Sequence, residues 1–194
     1  GKIYLADGTD PLLASYKLPA KCINDKGLVV KEDEVTWLDL SQSELSEVRT
    51  TFDMEVSADG LESKSLVVIT SNGYEARKLK KMYGEDLKEI LSDLRSKNYT
   101  LNESDLRCLN YKSYQAPYIV SFNATADNSY SGDKIFISPF LNQPITENPV
   151  RNAVRTIPVD LNYPYGFSYE SKIKIPEGYT ITYIPAEMNL DNED

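Results

Sequence analysis

Histidine is absent from all 194 residues. That removes the usual general base, the usual partner of a catalytic serine or cysteine and the commonest transition-metal ligand, so a hydrolase complete within this chain is not expected. Cysteine is scarce as well. Cys22 and Cys108 lie far apart with no CxxC spacing, which supports neither a zinc site nor a redox motif. They read as two buried thiols, with a long-range disulfide as the alternative, and without a histidine neither is a candidate nucleophile on its own. No apolar run approaches the roughly 18 residues needed to span a bilayer, and nothing recurs at a fixed period, so a membrane span, a solenoid and a propeller are not expected. Positive charge is in deficit: 21 Lys and Arg against 30 Asp and Glu leave a formal net charge of −9. A field of that sign repels phosphate backbones, so nucleic acid is not an expected partner.

What remains is the composition of an ordinary globular chain, 41% hydrophobic and 26% charged. Its length suits one full domain or two small ones. The 14 tyrosines, against five phenylalanines and one tryptophan, suit half-buried pleated surfaces, where the ring packs and the hydroxyl reaches water. The opening Gly1-Lys2-Ile3-Tyr4-Leu5 already reads as a strand, with neither a basic n-region nor an apolar h-region. It is therefore read as part of a longer precursor.

The first 45 residues are rich in turns: a short strand over 3–6, a turn at Asp7-Gly8-Thr9-Asp10-Pro11 and an extended segment over 12–20. Short apolar runs follow over 28–31 and 35–40. Alternating runs over 47–57 and 61–71 flank Ala58-Asp59-Gly60, a strong hairpin signal. After Asn72-Gly73 the period changes to 3.6: Leu79, Tyr83, Leu87, Ile90, Leu91 and Leu94 fall on one stripe of an amphipathic helical segment near 74–97. Asn72 with Glu75 reads as an N-cap, Gly84 as the break between two helices, and Arg77, Lys78, Lys80, Lys81 and Lys88 as a solvated basic face. Strand patterns resume over 106–111, 118–126, 133–140, 165–175 and 179–185, interrupted by a proline-rich stretch over 138–149, and the acidic end frays. The fold expected is mainly β (α+β): an antiparallel β-sandwich-like domain with an inserted helical segment.

Candidate chemistry is sparse. Asp127-Asn128-Ser129-Tyr130-Ser131-Gly132-Asp133 places oxygen side chains at alternating positions with glycine sixth, as in a calcium loop, but Ser138 stands where a bidentate glutamate is needed. A plain turn uses the same residue types. Glu187, Asp191, Glu193 and Asp194 could gather a cation only if the chain end were fixed, and no carboxylate pair sits in an apolar context that would raise a pKa for acid–base work. No metal or cofactor is expected. Asn162-Tyr163-Pro164-Tyr165-Gly166-Phe167-Ser168-Tyr169 is the place to look for an aromatic platform.

One resemblance bears on function. Leu5-Ala6-Asp7-Gly8-Thr9-Asp10-Pro11 resembles the segment of transglutaminase-like, papain-type thiol domains in which a strand ends in an aspartate followed by a small residue and threonine. Leu18-Pro19, Cys22-Ile23-Asn24, Gly27 and Asn72-Gly73-Tyr74-Glu75-Ala76-Arg77 resemble large bacterial proteins that flank such a core with β-rich domains of unknown function. Asp133-Lys134-Ile135-Phe136-Ile137-Ser138-Pro139, Arg155-Thr156-Ile157-Pro158-Val159-Asp160 and Ile175-Pro176-Glu177-Gly178-Tyr179 fit their trailing domain. The resemblance implies that residues 1–45 are the tail end of the thiol domain and a linker, and 46–194 a β-rich accessory domain. Asp7 would then be the aspartate that orients a catalytic histidine in a Cys-His-Asp triad, its partners upstream, so that Asp7 is an orphan here with a cap or turn role. The implied chain is non-catalytic, an accessory or protein/peptide-interaction domain of a cysteine protease or acyltransferase exported to the periplasm or cell surface. Its partners would be the upstream thiol domain and a peptide or, as the second reading, a glycan held by exposed Tyr and Trp. Coplanar exposed aromatics would favour the glycan, an uncovered strand edge the peptide, and an exposed apolar patch over 3–18 a scaffold.

Overall fold

The computed structural model describes residues 5–14, 16–23, 25–41, 43–85, 87–96, 100–141 and 161–190. In chain order its strands are β1 (Lys26–Val30), β2 (Val35–Asp39), β3 (Ser46–Val56) and β4 (Glu62–Ser71), then, after helices α1 (Gly73–Tyr83) and α2 (Leu87–Ser96), β5 (Thr100–Leu101), β6 (Arg107–Leu109), β7 (Tyr118–Asp127), β8 (Ser129–Ser131), β9 (Lys134–Phe136) and β10 (Tyr165–Lys174). Six of these strands form one sheet in the order β10-β3-β4-β7-β5, with β6 also on β7. β1–β2 and β8–β9 are separate two-stranded ribbons.

The β3–β4 hairpin follows from its sequence. Asp59 accepts hydrogen bonds from the Ser57 hydroxyl (2.7 Å) and the Leu61 N–H (3.1 Å), and Gly60 takes the positive φ of 76° that closes the turn. Antiparallel register then puts Phe52 opposite Val67, and Val67 opposite Phe122 of β7, on one face of the sheet. That face packs under the helices: Phe52, Met54, Val67, Val120 and Phe122 meet Ala76, Tyr83, Ile90, Leu91 and Leu94, all buried. Each of the Val, Leu, Ile, Phe and Met side chains among them contributes about 1.5–3 kcal/mol of burial. Leu79 is partly buried against the same core, so Leu79, Tyr83, Ile90, Leu91 and Leu94 of the stripe read from the sequence lie on the face that docks. The other face of the sheet is solvated and charged, with Glu47, Arg49, Asp53 and Glu55 on β3 beside Glu170, Lys172 and Lys174 on β10.

The chain is thus a mainly β, α+β protein with the helical segment inserted between strands. The layer over the large sheet is built from α1, α2 and loops, and the sheet is mixed: β10 runs parallel to β3, from Tyr165 opposite Ser46 to Lys174 opposite Glu55. A parallel neighbour cannot arrive through a hairpin, and β10 reaches β3 only after a long connection. Three local expectations change. Residues 179–185 have the alternation of a strand but no ladder among the described residues, because alternation supplies a face and not a hydrogen-bonding partner. β9 stops at Phe136, short of the expected 140, ahead of Pro139 and the positive φ of 47° at Leu141. Leu5 and Ala6 are not in a strand, and Ile3 and Tyr4 lie outside the described residues. So do Asn24, 142–160 with the Arg155–Asp160 motif, and Asp191, Glu193 and Asp194. Among the described residues no helix is long and apolar enough to cross a membrane.

Candidate functional site

The first turn of α1 is clamped to the start of β3. The Tyr74 N–H donates to Ser46 Oγ (3.0 Å), and the Asn72 side chain accepts from the Glu47 N–H (2.8 Å) instead of capping its own helix. The Asn72–Glu75 capping box is therefore replaced by a cap from a strand serine. Gly73 is required at this junction: its φ is +55°, and a Cβ there would lie 2.4 Å from Ser46 Oγ. Glu75 is carried inward, 3% exposed, where its carboxylate accepts from the Tyr163 hydroxyl at 3.0 Å, with Lys78 Nζ at 3.6 Å. Burial and the Glu75 charge push the Tyr163 phenol up to about 12.

From this anchor an aromatic row runs out along the edge strand. Tyr74 stacks on Tyr163 (centroids 4.6 Å, 29°), Tyr163 meets Tyr165 (6.3 Å, 64°), and Tyr165 meets Phe167 (5.7 Å, 72°). Tyr165 and Phe167 point to the helix side of β10 yet remain exposed. Beyond the stacked Tyr74–Tyr163 pair, successive rings stand nearly edge to face, not in one plane. On the solvated side, β10 is tied to β3 by Arg49–Glu170 and by Lys174 to Glu55 at 2.8 Å. That contact lowers the Glu55 carboxyl and raises the Lys174 amine relative to their ordinary values. Among the described residues the outer edge of β10 carries no ladder, and Ser171 Oγ, turned toward the core, has no hydrogen-bond partner.

A cleft of about 370 Å³ lies between α1 and two loops, reached by Tyr16, Lys17, Arg77, Lys80, Ser113 and Tyr114. A neighbouring one of about 550 Å³ adds Asp7 and Asp10. Their charges are engaged within the chain. Arg77 Nε donates to Asp10 at 2.6 Å, Lys17 pairs with Glu44, and Lys112 lies 3.2 Å from Glu85. Asp7 accepts from the Thr9 N–H at 2.7 Å. Thr9's hydrogen bonds, with a smaller contribution from Lys21, hold its carboxyl below the ordinary aspartate value. Asp7 thus sits in a local turn. Lys80 departs from the solvated face expected of the basic cluster: it is 4% exposed, donates to the Ser113 carbonyl at 2.6 Å and lies 5.8 Å from the Tyr118 ring centroid. Burial pulls its amine below the ordinary lysine value.

The remaining candidates are dispersed. Cys22 and Cys108 are free, half-buried thiols on different elements. The Cys108 thiol lies 3.4 Å from the Tyr118 hydroxyl, and burial raises that phenol's pKa. In the calcium-like stretch Asn128 is a clasp, accepting from Ser63 Oγ (2.8 Å) and donating to the Gly60 carbonyl (2.9 Å), while Gly132 turns the β8–β9 ribbon. No cluster of three or more metal-ligating side chains occurs among the described residues. Of the apolar residues of 5–18, Leu13 and Ala14 are buried and Leu18 packs beside them against Tyr74, whose hydroxyl donates to the Leu18 carbonyl at 2.8 Å, while Ala6 and Tyr16 are exposed.

Residues 133–194, a third of the chain, match a family described as a domain of unknown function with a solved structure, DUF3858. The match spans β9, β10 and the segment after it, so it includes the exposed edge. No curated protein and no solved structure matches the chain. The edge was readable only in part from sequence. The Asn162–Tyr169 aromatics were visible, but their position at the end of a sheet depends on which strand β10 joins.

Proposed function

We propose that this chain is a non-catalytic protein-interaction module that takes an extended peptide as an added strand along the outer side of β10. The observation that carries this reading is a ten-residue strand at the end of a sheet, without a ladder on its outer side among the described residues and with Tyr165 and Phe167 exposed along it. Main-chain groups on such an edge supply affinity, and exposed rings supply side-chain contacts for alternate residues of the incoming strand. A glycan platform presents coplanar ring faces. The 64° and 72° angles along this row favour the peptide over the carbohydrate. The wider setting, an accessory domain beside a transglutaminase-like thiol domain in the periplasm or at the cell surface, rests on the sequence resemblance of the Asp7 turn and the later segments. Asp7 would then complete a triad only with partners supplied by the parent.

The test is selection of displayed extended peptides on the folded chain, followed by the double variant Tyr165→Lys/Phe167→Lys, which places edge-protecting charges on β10. Affinity is expected to fall roughly tenfold or more, while Glu170→Gln on the opposite face leaves it unchanged. Peptides that bind both variants equally, or soluble oligosaccharides that bind where peptides do not, would refute the assignment.

A further inference from the structure

The β1–β2 ribbon is a separate surface with its own chemistry. Antiparallel register sets Leu28 opposite Trp37 and Val30 opposite Val35, so the four side chains share one face. All four are exposed, Trp37 at 66% and Val30 at 71%. A two-stranded ribbon with an uncovered apolar face is marginal by itself in water, and an exposed patch of this kind with tryptophan in it is the composition of a binding hot spot. Its surroundings are acidic. Glu32, Asp33 and Glu34 form the tip and Asp25 and Asp39 flank the base, five carboxylates against Lys26 and Lys31, or −3 over 25–39. Lys31 is itself 3.6 Å from Glu34.

We infer that this ribbon is a docking site for an extended apolar segment flanked by lysine or arginine, contributed by a different protein. The apolar face supplies the contact area, and the acidic rim selects the flanking charge and steers the encounter. A second copy of the chain fits poorly: its net charge is −9, and its own exposed strand-like stretch, Tyr179 to Ile184, lies between Glu177 and Glu187. The site is independent of strand addition at β10, since it uses other residues and a different selection by charge.

Trp37 is the only tryptophan in the chain, so its emission reports on this face alone. The probe is a synthetic peptide of four Thr-Val pairs with two lysines at each end, against a counterpart ending in glutamates. A saturable blue shift is expected with the lysine peptide, which binds roughly tenfold tighter than the glutamate peptide at low salt, the advantage shrinking as ionic strength rises. The triple variant Glu32→Lys/Asp33→Lys/Glu34→Lys, with circular dichroism unchanged, is expected to reverse the preference. Val30→Thr, which keeps β-propensity, is expected to weaken binding several-fold. No shift with millimolar lysine peptide on folded protein, equal affinity for the two peptides, or a shift that follows protein concentration alone would each overturn the assignment.

Discussion

Tyr163→Phe isolates the bond that fixes β10 to the first turn of α1. Phenylalanine keeps the ring that stacks on Tyr74 at 4.6 Å and removes only the hydroxyl that donates to Glu75 at 3.0 Å. Glu75 is 3% exposed, and its other charged neighbour, Lys78, lies at 3.6 Å with its side chain more than half exposed. Loss of a hydrogen bond to a buried charged group costs about 1.5–3 kcal/mol, which for a chain of this size is a fall of roughly 3–12 °C in Tm. The same residue makes a second, opposite prediction with pH. The phenol rises from its ordinary 10.0 to about 12 in the folded protein, so between those values the unfolded chain has released a proton that the folded chain retains. Stability from this group is complete below pH 10 and is lost as pH rises toward 12, by at most about 2.7 kcal/mol at 1.36 kcal/mol per unit. The variant has no such group. Denaturant unfolding of both proteins from pH 7 to pH 11.5 is therefore expected to show a gap that narrows above pH 10. A difference below about 0.5 kcal/mol at pH 7, or a gap constant across the range, would refute the role of the Tyr163–Glu75 bond.

Two further substitutions test the same region. Gly73→Ala adds a Cβ 2.4 Å from Ser46 Oγ at a φ of +55°; a loss of roughly 1–3 kcal/mol is expected in urea unfolding, and wild-type stability would contradict the account of the helix cap. Ser171→Ala removes a buried hydroxyl that has no partner among the described residues. A change between zero and a gain of about 1 kcal/mol is expected, and a loss above about 1 kcal/mol would show that the hydroxyl is bonded in solution.

Much of the scaffold was legible in sequence because its signals are local. The Asp59-Gly60 turn with alternation on both sides specifies β3 and β4 to within a residue, and the stripe from Leu79 to Leu94 specifies which face of the helices docks. The site was less legible because its residues act at a distance. Nothing in sequence separates Lys80 from Lys78 or Lys81. Only the packing of α1 on the sheet carries Lys80 to the Ser113 carbonyl and the Tyr118 ring and leaves Lys78 in solvent. Asn72 and Glu75 have the spacing of a capping box, yet each finds its partner elsewhere in the fold, Glu47 on β3 and Tyr163 just ahead of β10. The Trp37 face was hidden for a related reason: the short runs over 28–31 and 35–40 read as strands, but nothing in them says whether a third strand covers them.

By itself, then, the sequence determined element type and polarity: turns at Asp-Gly, a helix where the period becomes 3.6, and the absence of any histidine-based chemistry. These depend on backbone preferences and on neighbours within a few residues. The tertiary structure decided that β10 joins β3 in parallel and stands at the end of the sheet, that residues 179–185 pair with nothing among the described residues, and that a lysine and a glutamate of α1 are buried. Strand pairing and burial are settled between segments more than a hundred residues apart, such as β3 and β10. There the competition is among many surfaces of similar alternation, and only the assembled core selects one.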